Sequence, residues 1–225
     1  MLYDNISQTR ANKSGQIVMD NTTIRRGRPE DAQDFSELAL YSGPELLPAL
    51  FGAKVKDVWT KAFRHPRSCF SYEHSHFIEV NGETAGMALA YSYERKRKEE
   101  IRSLLLILRY LKWGIIKQIA YLSRAGVVIA QIDKGDYYIS NIAVYPDLRC
   151  QGCGTKLLES LEGEAKSAGC TRLVLNVETD NEKAIKLYER TGYTIETKSS
   201  VLRTREHDFE FFKMVKNIAA SYPVM

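Results

Sequence analysis

The amino-acid sequence predicts an α/β fold: a mixed central sheet of about seven strands with helices on its faces. Three observations lead there. Between Tyr137 and Leu202, strand-period and helix-period patterns follow one another as strand, helix, strand, helix, strand, the order that a sheet layered with helices requires. Asn81-Gly82 separates two apolar runs, and this dipeptide is a strong hairpin signal because both residues tolerate positive φ. The chain of 225 residues is 44% hydrophobic and 10% aromatic, enough to bury a core and too apolar for a disordered polymer.

The elements follow in chain order. Residues 1–21, rich in Asn, Ser, Thr and Gln, read as a mobile leader. Thr22–Arg26 is a short strand. Pro29-Glu30-Asp31 opens a helix to about Tyr41, with Ala32, Phe35, Leu38 and Ala39 as its stripe and acids where the helix dipole favours them. Gly43, Pro44 and Pro48 break it, and a second helix is expected over Val55–His65. Ser75–Val80 and Thr84–Tyr91 are the two arms of the hairpin. From Glu99 to Ile115, apolar residues at 101, 104, 105, 108, 111 and 115 form a helical stripe, with Arg95, Lys98, Arg102 and Arg109 on a neighbouring face. That helix is expected to lie on the domain with its basic side in water. Then come a strand at Tyr137–Tyr145, a helix at Gly154–Ala168 closed by Gly169, a strand at Arg172–Val177 and a helix at Asn181–Arg190. Strands at Thr194–Leu202 and Phe209–Val215 end the pattern, and 217–225 is a tail.

Charge narrows the function classes. The net balance is +4, but the stretch from Glu94 to Arg124 holds nine basic residues against three acids, so it alone carries +6 and the remainder is slightly acidic. A nucleic-acid-binding domain would spread its charge over the fold, so no nucleic-acid partner is expected. The longest purely apolar run, Leu104–Leu108, has five residues, far short of the roughly 20 that span a bilayer, and no transmembrane segment is expected. The polar start shows no signal peptide, so the sequons at Asn5, Asn12 and Asn21 carry little weight. Four unevenly spaced Cys make no disulfide framework. A reduced, cytoplasmic protein is the expectation.

One loop stands out for chemistry. Arg149-Cys150-Gln151-Gly152-Cys153-Gly154-Thr155 joins a strand directly to a helix. Successive backbone N–H groups at a helix start, with glycines allowing close approach, make an anion site. Position 157 is Leu, so the dinucleotide fingerprint is incomplete, and Gly154-Thr155-Lys156 has the wrong order for a Walker loop.

The loop has company. Asn141-Ile-Ala-Val144, Pro146, Arg149-x-x-Gly152-x-Gly154 and Asn181-x-x-Ala184-x-x-Leu187-Tyr188-x-x-x-Gly192-Tyr193 together resemble the GNAT superfamily of N-acetyltransferases. The wording is nearest to the ribosomal-protein alanine N-acetyltransferases. The resemblance is close over 137–193 and looser over 22–41 and the hairpin. It implies a single GNAT-fold domain over 22–216, with a basic helical insert at about 94–132 between the third and fourth strands, where the family builds its acceptor wall. It implies acetyl-CoA as co-substrate and direct transfer of the acetyl group to a primary amine, small-molecule or peptide, in a ternary complex. The alternative class is a GNAT-like domain that binds acyl-CoA as sensor or scaffold without efficient catalysis.

The resemblance also implies roles. Backbone groups of Ile142, Ala143 and Val144 would hold the pantetheine arm like an added strand. The amides of Arg149, Cys150, Gln151, Gly152, Cys153, Gly154 and Thr155 would hold the pyrophosphate, and Asn181 would contact the cofactor near its thiol. Tyr188 matches the tyrosine that protonates the departing thiolate, a feasible donor since a phenol titrates near 10 and a thiol at about 8.5. The pattern breaks at the base: Asn176 stands where the nearest relatives carry Glu, and Asn cannot take a proton. Glu178, two residues on and so on the same strand face, is the substitute candidate; a water chain, Tyr137 or Tyr138 are others. No metal is expected. Cys150-x-x-Cys153 is a lone pair where zinc needs four ligands, and His74 and His76 lack a third partner and read as surface or strand-edge histidines. For the insert, a lid for an acidic acceptor or CoA phosphates, a homodimer surface and a membrane-surface helix stand beside the plain solvated helix.

Overall fold

The computed structural model describes residues 21–111, 128–129, 131–204 and 207–218. The expected leader (apart from Asn21), the insert over 112–127 and the tail beyond 218 lie outside the described residues. The elements are β1 (Thr22–Arg26), α1 (Ala32–Ser42), α2 (Leu46–Phe51), α3 (Val55–Phe63), β2 (Ser75–Val80), β3 (Glu83–Ser92), α4 (Tyr93–Leu111), β4 (Asp136–Val144), α5 (Cys153–Ser167), β5 (Arg172–Glu178), α6 (Glu182–Arg190), β6 (Thr194–Lys198), β7 (Leu202–Arg203), β8 (Asp208–Phe209) and β9 (Phe211–Asn217).

Seven strands form one sheet in the order β1-β2-β3-β4-β5-β9-β6. All neighbours are antiparallel except β4 and β5. The turn between β2 and β3 puts Asn81 at φ 54° and Gly82 at φ 87°, the double positive φ that a type I′ hairpin needs. Strand alternation divides the core in two. Phe77, Met87 and Leu89 face α1–α3, meeting Phe35, Leu38, Trp59 and Phe63. Ile78, Ala88 and Leu175 face α5 and α6, meeting Leu157, Leu161 and Tyr188. Burial on both faces explains why these strands read as near-continuous apolar runs.

Four expectations are corrected. The segment after Gly43 is not only a break: α2 forms there, because Pro48 falls in its first turn, where a missing N–H costs little. The expected strand at Thr194–Leu202 is two strands. All five residues of β6 are exposed at the sheet edge, whereas Leu202 is buried in the α1–α3 core and pairs with Phe209 in a separate hairpin. His74 and His76 are buried, not surface residues; His74 Nε2 lies 2.7 Å from Glu99 and His76 Nε2 lies 2.6 Å from Glu164.

The fourth correction concerns α4, the insert between β3 and β4. It leaves β3 without a loop and packs on α3 and β3 with Arg95, Lys98, Arg102 and Arg109 exposed as expected, but the strip it turns inward is not the apolar stripe. Glu99, Ser103 and Ile107 are buried, while Ile101, Leu104 and Leu105 are 74%, 51% and 61% exposed. The surface it covers is polar enough to dictate this. His74 meets the Glu99 carboxylate, and the Cys69 backbone N–H donates to Ser103 Oγ at 2.8 Å. A leucine turned inward would strand both groups, at a cost of about 1–3 kcal/mol each.

Candidate active site

The site arises where two neighbouring strands part. β4 and β5 pair from Asp136↔Arg172 to Ile139↔Leu175 and no further. Beyond that, β4 stays on β3 up to Val144, and β5 stays on β9 up to Glu178. The cause lies in the register: Leu89 faces Asn141 but Ala90 faces Ile139, so Ser140 is an extra residue, a bulge that bends β4. The bend is pinned from the far side, where Asn141 Nδ2 donates to Ser42 Oγ at the end of α1, 2.8 Å away. The result is a small cleft of about 90 Å³, lined among others by Ser42, Leu46, Ile129, Tyr138, Asn141, Asn176, Glu178, Tyr188 and Phe211.

Ile142, Ala143 and Val144 stand on the parted edge of β4, where the ladder to β5 has ended. Val144 is partly committed, because its carbonyl accepts from Arg149 Nε at 3.0 Å. Next, the loop enters α5 at Gly152, which sits at φ 84° as the N-cap and provides no side-chain cap. A Cβ on Gly152 would meet nothing within 4 Å, so the glycine serves the left-handed turn, and open space lies above it. The amides of Gly154 and Thr155 in the first turn of α5 therefore have no intrahelical acceptor, the arrangement that favours an anion at a helix start. Cys150 also takes positive φ, at 60°. It is exposed, whereas Cys153 is buried. Gly154 serves packing instead, since a Cβ there would come within 3.2 Å of Leu187 Cδ2; its absence lets α5 and α6 approach closely. Gln151 Nε2 ties back to the Asp147 carbonyl, and Thr155 lies in the first turn of α5.

Asn181 caps α6, its Oδ1 accepting from the Ala184 N–H at 3.2 Å. Further along α6, Tyr188 is buried and lines the cleft; burial pushes its phenol well above the ordinary value, so it is protonated at neutral pH. Across from it, Asn176 and Glu178 both line the cleft, as period-two alternation requires. Burial, with help from Asp180 and Glu45 and against His207, raises the Glu178 carboxyl above the usual range, which makes it a stronger base. Of the two tyrosines on β4, Tyr138 lines the cleft, but Tyr137 points to the other face beside Glu164. Tyr137 is thereby removed as a base.

Sequence reasoning missed the walls supplied by Ser42, Leu46, Ile129 and Phe211. The only local signal was the Ser42-Gly43-Pro44 break, which marks a loop but not its neighbours. Among the described residues no group of His, Cys, Asp or Glu is arranged to hold a metal ion.

The fold, a mixed sheet whose fourth and fifth strands part beside a glycine-led helix start, is shared by solved acetyltransferase structures. An N-acetyltransferase from Staphylococcus aureus Mu50 matches with a TM-score of 0.61 and 26% identity over 85% of this chain and 99% of its own. The ribosomal-protein-S18-alanine N-acetyltransferase from Escherichia coli matches in fold with a TM-score of 0.55 and 19% identity, over 91% and 99%. The family model for the Acetyltransferase (GNAT) family matches residues 44–193, and the chain belongs to that family. In sequence, the [Ribosomal protein bS18]-alanine N-acetyltransferase of Escherichia coli (strain K12) is 41% identical over 69 residues, 31% of this chain. N-alpha-acetyltransferase 30 of Schizosaccharomyces pombe is 39% identical over 56 residues, 25% of this chain and 37% of its own. The match spans 47% of the length of the bacterial relative.

Proposed function

We propose that this protein transfers an acetyl group from acetyl-CoA to a primary amine by direct attack in a ternary complex. The carrying observation is the parting of β4 and β5 after Ile139 and Leu175, with a raised carboxyl, Glu178, and a protonated phenol, Tyr188, lining the same cleft. Acetyl-CoA supplies an activated acetyl thioester. The residues present fit it: the edge of Ile142–Val144 for the pantetheine amides, the uncapped start of α5 for the pyrophosphate, and Asn181 and Tyr188 near the thiol end. Arg149 releases the Val144 carbonyl to complete that edge.

Each side chain then has a distinct role. The amine must be neutral to attack, and Glu178 accepts its proton. An α-amine, near 8, needs less help than a lysine, near 10.4. Tyr188 donates to the leaving sulfur. Burial that weakens the phenol as an acid also raises the thiol, since both anions lose solvation, so the transfer stays close to balanced. The names of the sequence relatives refer to a ribosomal-protein alanine and to an N-alpha position, which makes a peptide α-amine the first acceptor to try.

Asn176, in the cleft where those relatives are expected to carry Glu, favours a second reading: an acyl-CoA-binding sensor or scaffold. CoA release over a panel of peptide, polyamine and small-molecule amines separates the two. Turnover with at least one amine supports the enzyme, while acetyl-CoA binding without turnover on any amine establishes the sensor.

A further inference from the structure

We propose that the outward face of α4 docks on an anionic phospholipid surface. The helix is inverted relative to an ordinary surface helix: its buried side holds Glu99 and Ser103, and its outer side shows Ile101, Leu104 and Leu105 at 74%, 51% and 61% exposure. At 100° per residue, Ile101, Leu104, Leu105 and Leu108 fall on one outward ridge. Lys98, Arg102 and Arg109 fall along its flank, all three exposed, and Arg97 extends the charge toward the helix start. Long basic side chains beside an apolar ridge can bury their stems and lift their charges to headgroup level.

The charge pattern identifies the occupant. Along α4 six Lys or Arg stand against Glu94, Glu99 and Glu100, and Glu99 is buried, so the exposed surface is net positive and suits a negative partner. A second copy of the chain is a poor one. A twofold contact through this face sets the same cations against each other. A single convex helix offers no groove of the kind that captures a peptide, but it suits a planar interface. No helix among the described residues is long and apolar enough to cross a membrane, so the mode is lying on the surface.

The test is sedimentation of the full chain with vesicles of phosphatidylcholine plus phosphatidylglycerol and with phosphatidylcholine alone. Binding to the anionic vesicles only, weakened by added salt, is expected. The double substitution Leu104→Glu/Leu105→Glu should weaken it by more than about tenfold, and Arg102→Glu/Arg109→Glu should do the same. All four residues are exposed, and unchanged thermal melting confirms that the variants fold. Absence of binding to anionic vesicles overturns the proposal, as does binding that the leucine pair does not affect. So does a wild-type dimer, by light scattering, that the leucine pair converts to monomer, since a second copy then covers the face. Because no substrate enters this measurement, its failure leaves the acetyl-transfer reading standing.

Discussion

Gly86→Ala perturbs the cleft without touching it. Gly86 lies in β3 opposite Val144, and a Cβ built there stands 2.6 Å from the Ala143 carbonyl oxygen and 3.1 Å from Val144 Cα. The nearest atom is backbone, with Val144 Cγ2 also at 3.1 Å, so the strand itself must yield, by roughly 0.5–1 Å to restore ordinary contact. Below Ile139, β4 has a strand ladder on both sides; above it, the only ladder is to β3, with Asn141 tied by its side chain to Ser42. The retreat therefore goes into the cleft, along the edge assigned to the pantetheine arm. Overpacking in the middle of its usual range costs about 2 kcal/mol, and replacing a strand glycine returns about 0.5–1 kcal/mol, which leaves a net loss of about 1–1.5 kcal/mol. For a chain of this size that lowers Tm by about 2–6 °C. Two misaligned hydrogen bonds at about 0.5–1.5 kcal/mol each weaken acetyl-CoA binding by about 5- to 150-fold. Differential scanning fluorimetry and titration calorimetry with acetyl-CoA read the two effects. A lowered Tm with unchanged acetyl-CoA affinity would refute the assignment of the β4 edge, and no change in either would refute the steric reasoning.

The other predictions concern protons and charge. Glu178→Gln should lower kcat at neutral pH by about 10²-fold or more. Because its pKa is raised, wild-type activity should fall as pH drops through a limb above the usual carboxylate value of about 4.3; a pH–rate profile of the variant that keeps this limb assigns the base elsewhere. Tyr188→Phe keeps the buried ring, so Tm and acetyl-CoA affinity should hold while kcat falls by at least about tenfold; unchanged kcat removes Tyr188 as the acid. Glu164 is desolvated by burial, but His76, Arg26 and Tyr137 outweigh that and push its carboxyl down to about 2. A lowered carboxyl stabilises the fold above its unfolded pKa, and this contribution, on the order of 3 kcal/mol, is lost as pH falls from about 4.5 toward 2. Denaturant titrations of wild type and Glu164→Gln should therefore differ most near neutrality and converge at low pH; a constant gap contradicts the linkage.

Much of this molecule is written locally. The hairpin at Asn81-Gly82, the α5 start at Gly152 and the alternation that sets Asn176 and Glu178 on one face each depend on residues within a few positions, so pattern alone reaches them. Family wording over 137–193 added the roles proposed for Tyr188 and the loop. A free edge at Ile142–Val144 is what that resemblance implies, but the bulge at Ser140 that bends β4 appears only in the register with β3. Tertiary structure alone decided which side of α4 turns inward. Apolar periodicity pointed the leucines at the core, yet His74 and the Cys69 amide, some thirty residues earlier, demanded Glu99 and Ser103. The same holds for Ser42, Ile129 and Phe211, which enter the cleft from three distant segments. Short-range sequence determines what a segment can be; which of its faces is buried depends on the surface that long-range packing brings against it.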